Sequence, residues 1–227
     1  MILRSFFFYI IVYTWTIVYF IVFSPVKYFR RKIAIKLSVF WTASIIWFSK
    51  KILGIDYIVE GKDNIPRDKP FLVASNHQSA WETFFFVALF GDPVFVLKEE
   101  LKNIPIMSSY FSKLGYIYIN REKGFSSLKK VISSISKLVK KDVKAFIIFP
   151  QGTRVAPGEK KELNSGVIAV NKILKIPIVP IKHNSGLYWK NKKFIKHKGS
   201  IKVKIYPALK DGLNKVELRK KIEKIFY

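Results

Sequence analysis

The chain has 227 residues, 50% hydrophobic and 16% aromatic, which excludes a disordered chain and leaves room for one domain with a sizeable core. It has no cysteine and 3 histidines, which excludes disulfides, thiolate metal sites and a cysteine nucleophile and argues against a histidine-rich metal site. A formal net charge of +26 calls for an anionic partner: nucleic acid, an anionic membrane surface or an acidic small substrate.

Ser5 to Phe23 is a run of 19 residues without a charge, near the lower end of the roughly 17–25 needed to span a bilayer. It is long for the apolar part of a signal peptide, and no small-residue cleavage site follows, so it reads as a retained membrane helix. Arg4 precedes it; Lys27, Arg30, Arg31, Lys32 and Lys36 follow, which places the body of the protein on the cytoplasmic side of an inner membrane. A second apolar stretch, Leu37 to Phe48, is too short to span. It carries Trp41 and Trp47 and reads either as an in-plane or re-entrant partner of the first helix or as a core helix.

From Ile55 onward strands and helices alternate. Strands are expected at Tyr57–Val59, Phe71–Ala74, Val94–Leu97, Tyr116–Ile119, Ala145–Phe149, Ile176–Ile181 and Ser200–Tyr206. Helices are expected from Glu82 to Phe90, from Leu101 to Leu114 with Pro105 in the first turn, from Ser126 to Lys141 and from Glu162 to Leu174. A last helix runs from an Asn214 cap toward Phe226. Pro177 and Pro180 predict that their strand is an edge or is broken. The pattern predicts an α/β fold: a mixed, largely parallel sheet flanked by helices, with an N-terminal hydrophobic, membrane-docking helix pair. Residues 1–54 form the membrane-associated part and residues 55–227 the α/β domain.

Two stretches carry chemistry. The first is Ser75-Asn76-His77-Gln78-Ser79-Ala80-Trp81-Glu82, at a strand-to-helix junction, where ligands bind in open α/β sheets. Five helical residues turn about 500°, so His77 and Glu82 can meet only if His77 sits on the loop before the helix. Then a histidine base and an orienting carboxylate would be in reach of one another. Ser79-x-x-Glu82 also reads as a capping box, in which Glu82 satisfies a backbone N–H at the helix start. The second stretch is Phe149-Pro150-Gln151-Gly152-Thr153-Arg154. A buried strand ends in a glycine turn, a hydroxyl and a guanidinium, which together suit a phosphate. A plain turn with a surface arginine reads the same way. Gly115 to Arg121 repeats the logic, an apolar strand with a cation at its end, and suggests that Arg121 and Arg154 converge on one anion.

In these stretches the chain resembles the glycerolipid acyltransferases. His77-x-x-x-x-Glu82 resembles their HX4D block, Gly115 to Arg121 the G-x-I-F-I-D-R block, Phe149 to Arg154 the F-P-E-G-T-R block, and Ile178-Val179-Pro180-Ile181 the fourth block. All four occur in the family's order between about Tyr57 and Pro207. Three residues depart from the pattern: Glu82 and Asn120 stand where Asp is usual, and Gln151 where Glu is usual. The resemblance implies an O-acyltransferase of phospholipid biosynthesis, most similar to bacterial members that acylate lysophosphatidic acid to phosphatidic acid. It implies a thioester donor, acyl-CoA or acyl carrier protein, with no metal and no other cofactor. His77 and Glu82 would be catalytic; Arg121, Gly152, Thr153 and Arg154 would bind the substrate phosphate; Pro180 would shape the acceptor or acyl pocket. The partners would be lysophosphatidic acid, the thioester donor and an anionic membrane. There is no G-x-S-x-G motif, and Ser79 reads as a cap rather than a nucleophile. Lysines are spread along the chain with no nucleic-acid-binding motif, so nucleic acid is not an expected partner. The alternatives are a sister enzyme acting on another lyso-lipid, such as a lyso-ornithine lipid, and a membrane-anchored basic nucleic-acid-binding protein.

Overall fold

The computed structural model describes residues 1–209 and 212–227, and only the backbone of Lys27 and Arg121. Two long helices come first: α1 (Ile2–Val22) and α2 (Arg31–Phe48), the latter continued by a π-turn at Ser49–Leu53. Both are long and apolar enough to cross a membrane by length and composition. The second begins within the basic stretch and is longer than the Leu37–Phe48 run. Much of the apolar surface of α1 is bare: Phe6, Phe7, Ile10, Tyr13, Ile17 and Ile21 are exposed. Its other side is not: Phe8 on α1 and Ile45 and Ile46 on α2 belong to the core shared with the sheet. The pair therefore does both things the sequence left open, forming a hairpin and packing on the body. Arg31 locks the start of α2 to the body through a two-pronged bond to Asp92, at 2.7 Å on each prong.

The remaining elements are β1 (Ile55–Glu60), β2 (Phe71–Ser75), α3 (Trp81–Phe90), β3 (Val94–Lys98), α4 (Met107–Leu114), β4 (Ile117–Ile119), α5 (Gly124–Val139), β5 (Ala145–Ile148), α6 (Gly166–Leu174), β6 (Ile178–His183), α7 (Ser185–Tyr188), β7 (Gly199–Ile205) and α8 (Lys215–Phe226). They build one seven-stranded sheet in the order β1-β7-β6-β2-β5-β3-β4. Every pairing is parallel except β6 with β7. Alternate side chains of the central strands feed two cores. Phe71, Val73, Ile147 and Val179 face α1, α2 and α3. Leu72, Ala74, Phe146 and Ile178 face α5, α6 and α8. The result is the expected mixed, largely parallel sheet between helical layers.

Three local expectations are corrected. The strand expected to carry both prolines is central, not an edge: β6 begins at Ile178, after Pro177, and pairs with both β2 and β7. Pro180 is tolerated because the antiparallel ladder ends at the Ile181–Ile205 pair. The Pro180 carbonyl then accepts the Tyr206 N–H at 2.9 Å, and no donor is needed from the proline. Residues Leu101–Leu114 are not one helix: a 3₁₀ turn at Glu99–Asn103 is separated from α4 by Ile106, whose φ of 60° breaks the helical path. The segment Glu162–Ser165 lies outside α6, because the Asn164 N–H and amide both donate to the Pro150 carbonyl and draw it onto the turn after β5. The Asn214 cap is present, with Glu217 completing a capping box.

Ile147 is fully buried at the centre of this sheet. Ile147→Ala is expected to lower the unfolding free energy by about 2–5 kcal/mol, measured by chemical denaturation in detergent micelles. A loss well under 1 kcal/mol would mean that the centre of the sheet is loosely packed.

Candidate active site

The strands β6, β2 and β5 are neighbours and run parallel, so their carboxyl ends lie side by side. From the end of β2 comes the loop that carries His77, from β5 the turn Gln151–Arg154, and from β6 the cluster His183–Ser185. Glu82, in the first turn of α3, is fully buried and accepts from five donors. Its Oε1 takes the backbone N–H groups of Gln78 and Ser79 and His77 Nδ1, each at 2.8 Å. Its Oε2 takes the Ser79 hydroxyl at 2.5 Å and the Ser185 hydroxyl at 2.8 Å. The two readings of Glu82 are thus one arrangement: it satisfies the N–H of Ser79, as a capping glutamate would, and it holds the imidazole. Burial pushes the Glu82 carboxyl up, but nearby His183 and the bonds from His77 and Ser79 outweigh it and hold it well below the usual carboxylate range.

An ionised carboxylate only accepts, so His77 Nδ1 carries the proton and Nε2 is the basic nitrogen. The ring is stacked on Phe149, with centroids 4.0 Å apart and planes at 19°. The loop itself is pinned at both polar ends of His77: its N–H donates to Gln151 Oε1 and its carbonyl accepts the Val155 N–H, each at 2.8 Å. Gln151 Nε2 in turn donates to the hydroxyl of Tyr227 at 2.8 Å, and that hydroxyl donates to the Lys161 carbonyl at 2.7 Å. Beneath the site lies His183, buried. Its Nε2 bonds the Asn76 carbonyl at 2.8 Å, and burial pushes its pKa down.

His77 opens onto a cavity of about 830 Å³ between the sheet's rim and α2, a size suited to a small-molecule ligand. Gly152 and Arg154 line the same cavity, as do Trp41 of α2 and Phe84 of α3. The Gly152 N–H closes the turn on the Phe149 carbonyl at 2.9 Å, and its positive φ of 70°, which glycine adopts without strain, redirects the chain toward Arg154. Thr153 is exposed on the turn and is not among the cavity-lining residues. Pro180 is buried in β6 and does not line the cavity either. The Arg121 side chain lies outside the described residues. Its backbone follows β4, the far edge strand, which is three strand spacings from β2, about 14 Å. The sequence reading missed Ser185, His183, Gln151 as a holder of the loop, and Tyr227. Only the polar run Lys182–Ser185, after the apolar stretch that ends at Ile181, offered a signal.

A family model described as Acyltransferase matches residues 56–184. The chain is 36% identical to a 1-acyl-sn-glycerol-3-phosphate acyltransferase of Pseudomonas aeruginosa over 74% of its length, and 29% identical to one of Borreliella burgdorferi over 71%. It spans 65% and 63% of those two relatives, just under two thirds. The fold is shared with the 1-acyl-sn-glycerophosphate acyltransferase PlsC of Thermotoga maritima: TM-score 0.77 over 98% of this chain and 91% of that one, at 24% identity.

Because the folded Glu82 carboxyl titrates below its unfolded value, it adds stability above about pH 4.3, lost as pH falls further. Glu82→Gln removes this contribution. Its unfolding free energy should therefore fall less than that of the wild type between about pH 5 and pH 3, followed by urea titration. Equal slopes would show that Glu82 is not ionised in the fold.

Proposed function

We infer the reaction from one premise: this chain belongs to the Acyltransferase family. The reaction is transfer of an acyl chain from a thioester to the free hydroxyl of lysophosphatidic acid, giving phosphatidic acid. The observation that carries it is the His77–Glu82 pair, with its basic nitrogen opening onto a cavity that also holds Arg154.

The acceptor hydroxyl attacks the thioester carbonyl as His77 Nε2 takes its proton. Glu82 fixes the ring's tautomer and stabilises the imidazolium. The carbon–sulfur bond then breaks, and the leaving thiolate recovers the proton from His77, giving the ester and a free thiol. Gly152 and Arg154 hold the acceptor phosphate, with Thr153 and Arg121 as the further groups the family pattern assigns to that role. The reaction so written uses no metal and no prosthetic group; acyl-CoA or acyl-carrier-protein thioester is the co-substrate. Residues 1–54 dock the enzyme on an anionic membrane, and residues 55–227 carry the chemistry on the cytoplasmic face of the inner membrane. The bare apolar face of α1 and the +26 charge support this placement.

His77→Ala should lower turnover of oleoyl-CoA and lysophosphatidic acid by ~10²–10⁴-fold in detergent, with the fold intact by circular dichroism. Activity within a few-fold of wild type would remove His77 as the base. Arg154→Ala should raise the KM for the acceptor at least tenfold and leave that for the donor within about twofold. The reverse pattern would put the acceptor phosphate elsewhere.

A further inference from the structure

Acidic residues vanish from the sequence between Glu162 and Asp211. Part of that acid-free stretch, residues 189–197, folds as a turn against α1. Trp189 meets Phe8 edge-on at 5.3 Å, Phe194 stacks on Tyr9 at 5.1 Å, and the Lys196 N–H donates to the Ser5 hydroxyl at 2.9 Å. Between the turn and α1 is a hollow of about 490 Å³. It adjoins the catalytic cavity, and the two share Ala80, Phe84 and Arg154 in their walls.

The hollow is an unusual place for charge. Lys196 is 4% exposed, and its ammonium donates to the carbonyls of Lys190 and Lys193 at 2.8 and 2.6 Å. Those bonds use two of its three N–H donors. Arg154 is tied to the same turn through Asn191 Oδ1 at 3.2 Å. Burial first, and then the charge of Arg154, push Lys196 down to about 8. Among the described residues no carboxylate forms an ion pair with Arg154, Lys190, Lys193 or Lys196. A fold that crowds cations beside an aromatic floor and supplies no acid is relieved by an anion with an apolar body.

We propose that the phosphate of the lyso-lipid acceptor, met by Gly152 and Arg154 at the edge of the catalytic cavity, is seated toward this hollow, where Lys190 and Lys196 complete its contacts. The proposal rests on the acyltransferase reading of His77 and names a place for one of its substrates. Phe8, Val12 and Tyr13 of α1 line the hollow, and the same helix bares apolar side chains on its outer side. A single-chain lipid therefore enters from the bilayer along α1, with its phosphate ending among Arg154, Lys190 and Lys196. The 830 Å³ cavity then holds the reacting groups at His77 and the acyl chain of the donor.

The test uses the full chain in neutral detergent, where no anionic membrane contributes. Lys190 and Lys193 have exposed side chains, so the double variant Lys190→Glu/Lys193→Glu should fold. Asn191→Asp puts a carboxylate against Arg154. Both variants are expected to raise the KM for lysophosphatidic acid at least tenfold and leave the KM for acyl-CoA within twofold. Calorimetric binding of lysophosphatidic acid should weaken in parallel, and binding of an uncharged monoacylglycerol should not change. A rise in the acyl-CoA KM instead would assign the hollow to the donor's phosphates and overturn the proposal. If neither KM moves while His77→Ala abolishes transfer, the hollow is unused and the reaction reading survives. If His77→Ala is itself active, that reading falls first.

Discussion

The structure turns on one carboxylate that is nowhere in contact with water. An ionised group buried in protein costs several kcal/mol unless its lone pairs are filled, and Glu82 fills them with five donors from two segments, residues 77–79 and Ser185. Each donor is also a constraint on shape. The Gln78 and Ser79 N–H groups force the loop after β2 to wrap around the α3 terminus. The Ser185 hydroxyl ties the end of β6 to that loop, and His77 is left with a single ring orientation. Removing any one donor leaves the others to hold a charge that burial opposes, so the cluster holds together as a unit.

Topology decides which groups can join it. With β2 flanked by β5 and β6, the ends of three adjacent parallel strands open at the same rim, and the residues just beyond them are brought together without long excursions of chain. The Gly115–Arg121 block, on β4, sits at the sheet's edge. What lies between that edge and the centre is the cavity, roofed by α2 through Ser38, Trp41 and Thr42. The N-terminal helices are therefore part of the site as well as its support, and the Arg31–Asp92 clasp fixes their position over the rim.

The sequence was most legible where a local rule and the tertiary demand agree. Alternation and helical spacing located the strands and most helices, and the motif order located the rim. It was least legible where two rules compete for one residue. Glu82 reads as a cap by its spacing from Ser79 and as a partner by its spacing from His77, and the loop geometry satisfies both at once. Pro180 reads as an edge signal, yet the antiparallel ladder ends beside it, so a central strand loses nothing by the missing N–H. Ser185 and Tyr227 join the site from 103 and 76 residues away from their partners Glu82 and Gln151, a distance over which no sequence pattern constrains pairing.

Gln151 shows how a departure from the family pattern can be physically consistent. It is buried, and its amide is used at both ends: the oxygen accepts from the His77 N–H, and the nitrogen donates to the Tyr227 hydroxyl. That hydroxyl has only one proton, already given to the Lys161 carbonyl, so its oxygen can only accept from Gln151. A glutamate in this position has two acceptor oxygens and no donor when ionised. It could meet Tyr227 only by taking the proton away from Lys161. The amide thus fits a hydroxyl whose direction is set by Lys161, and through it the residue that follows α8 bears on the backbone of His77. An acid in the same place would need a donor where Tyr227 now presents a lone pair, so the identity of residue 151 and the docking of the C-terminal helix are determined together.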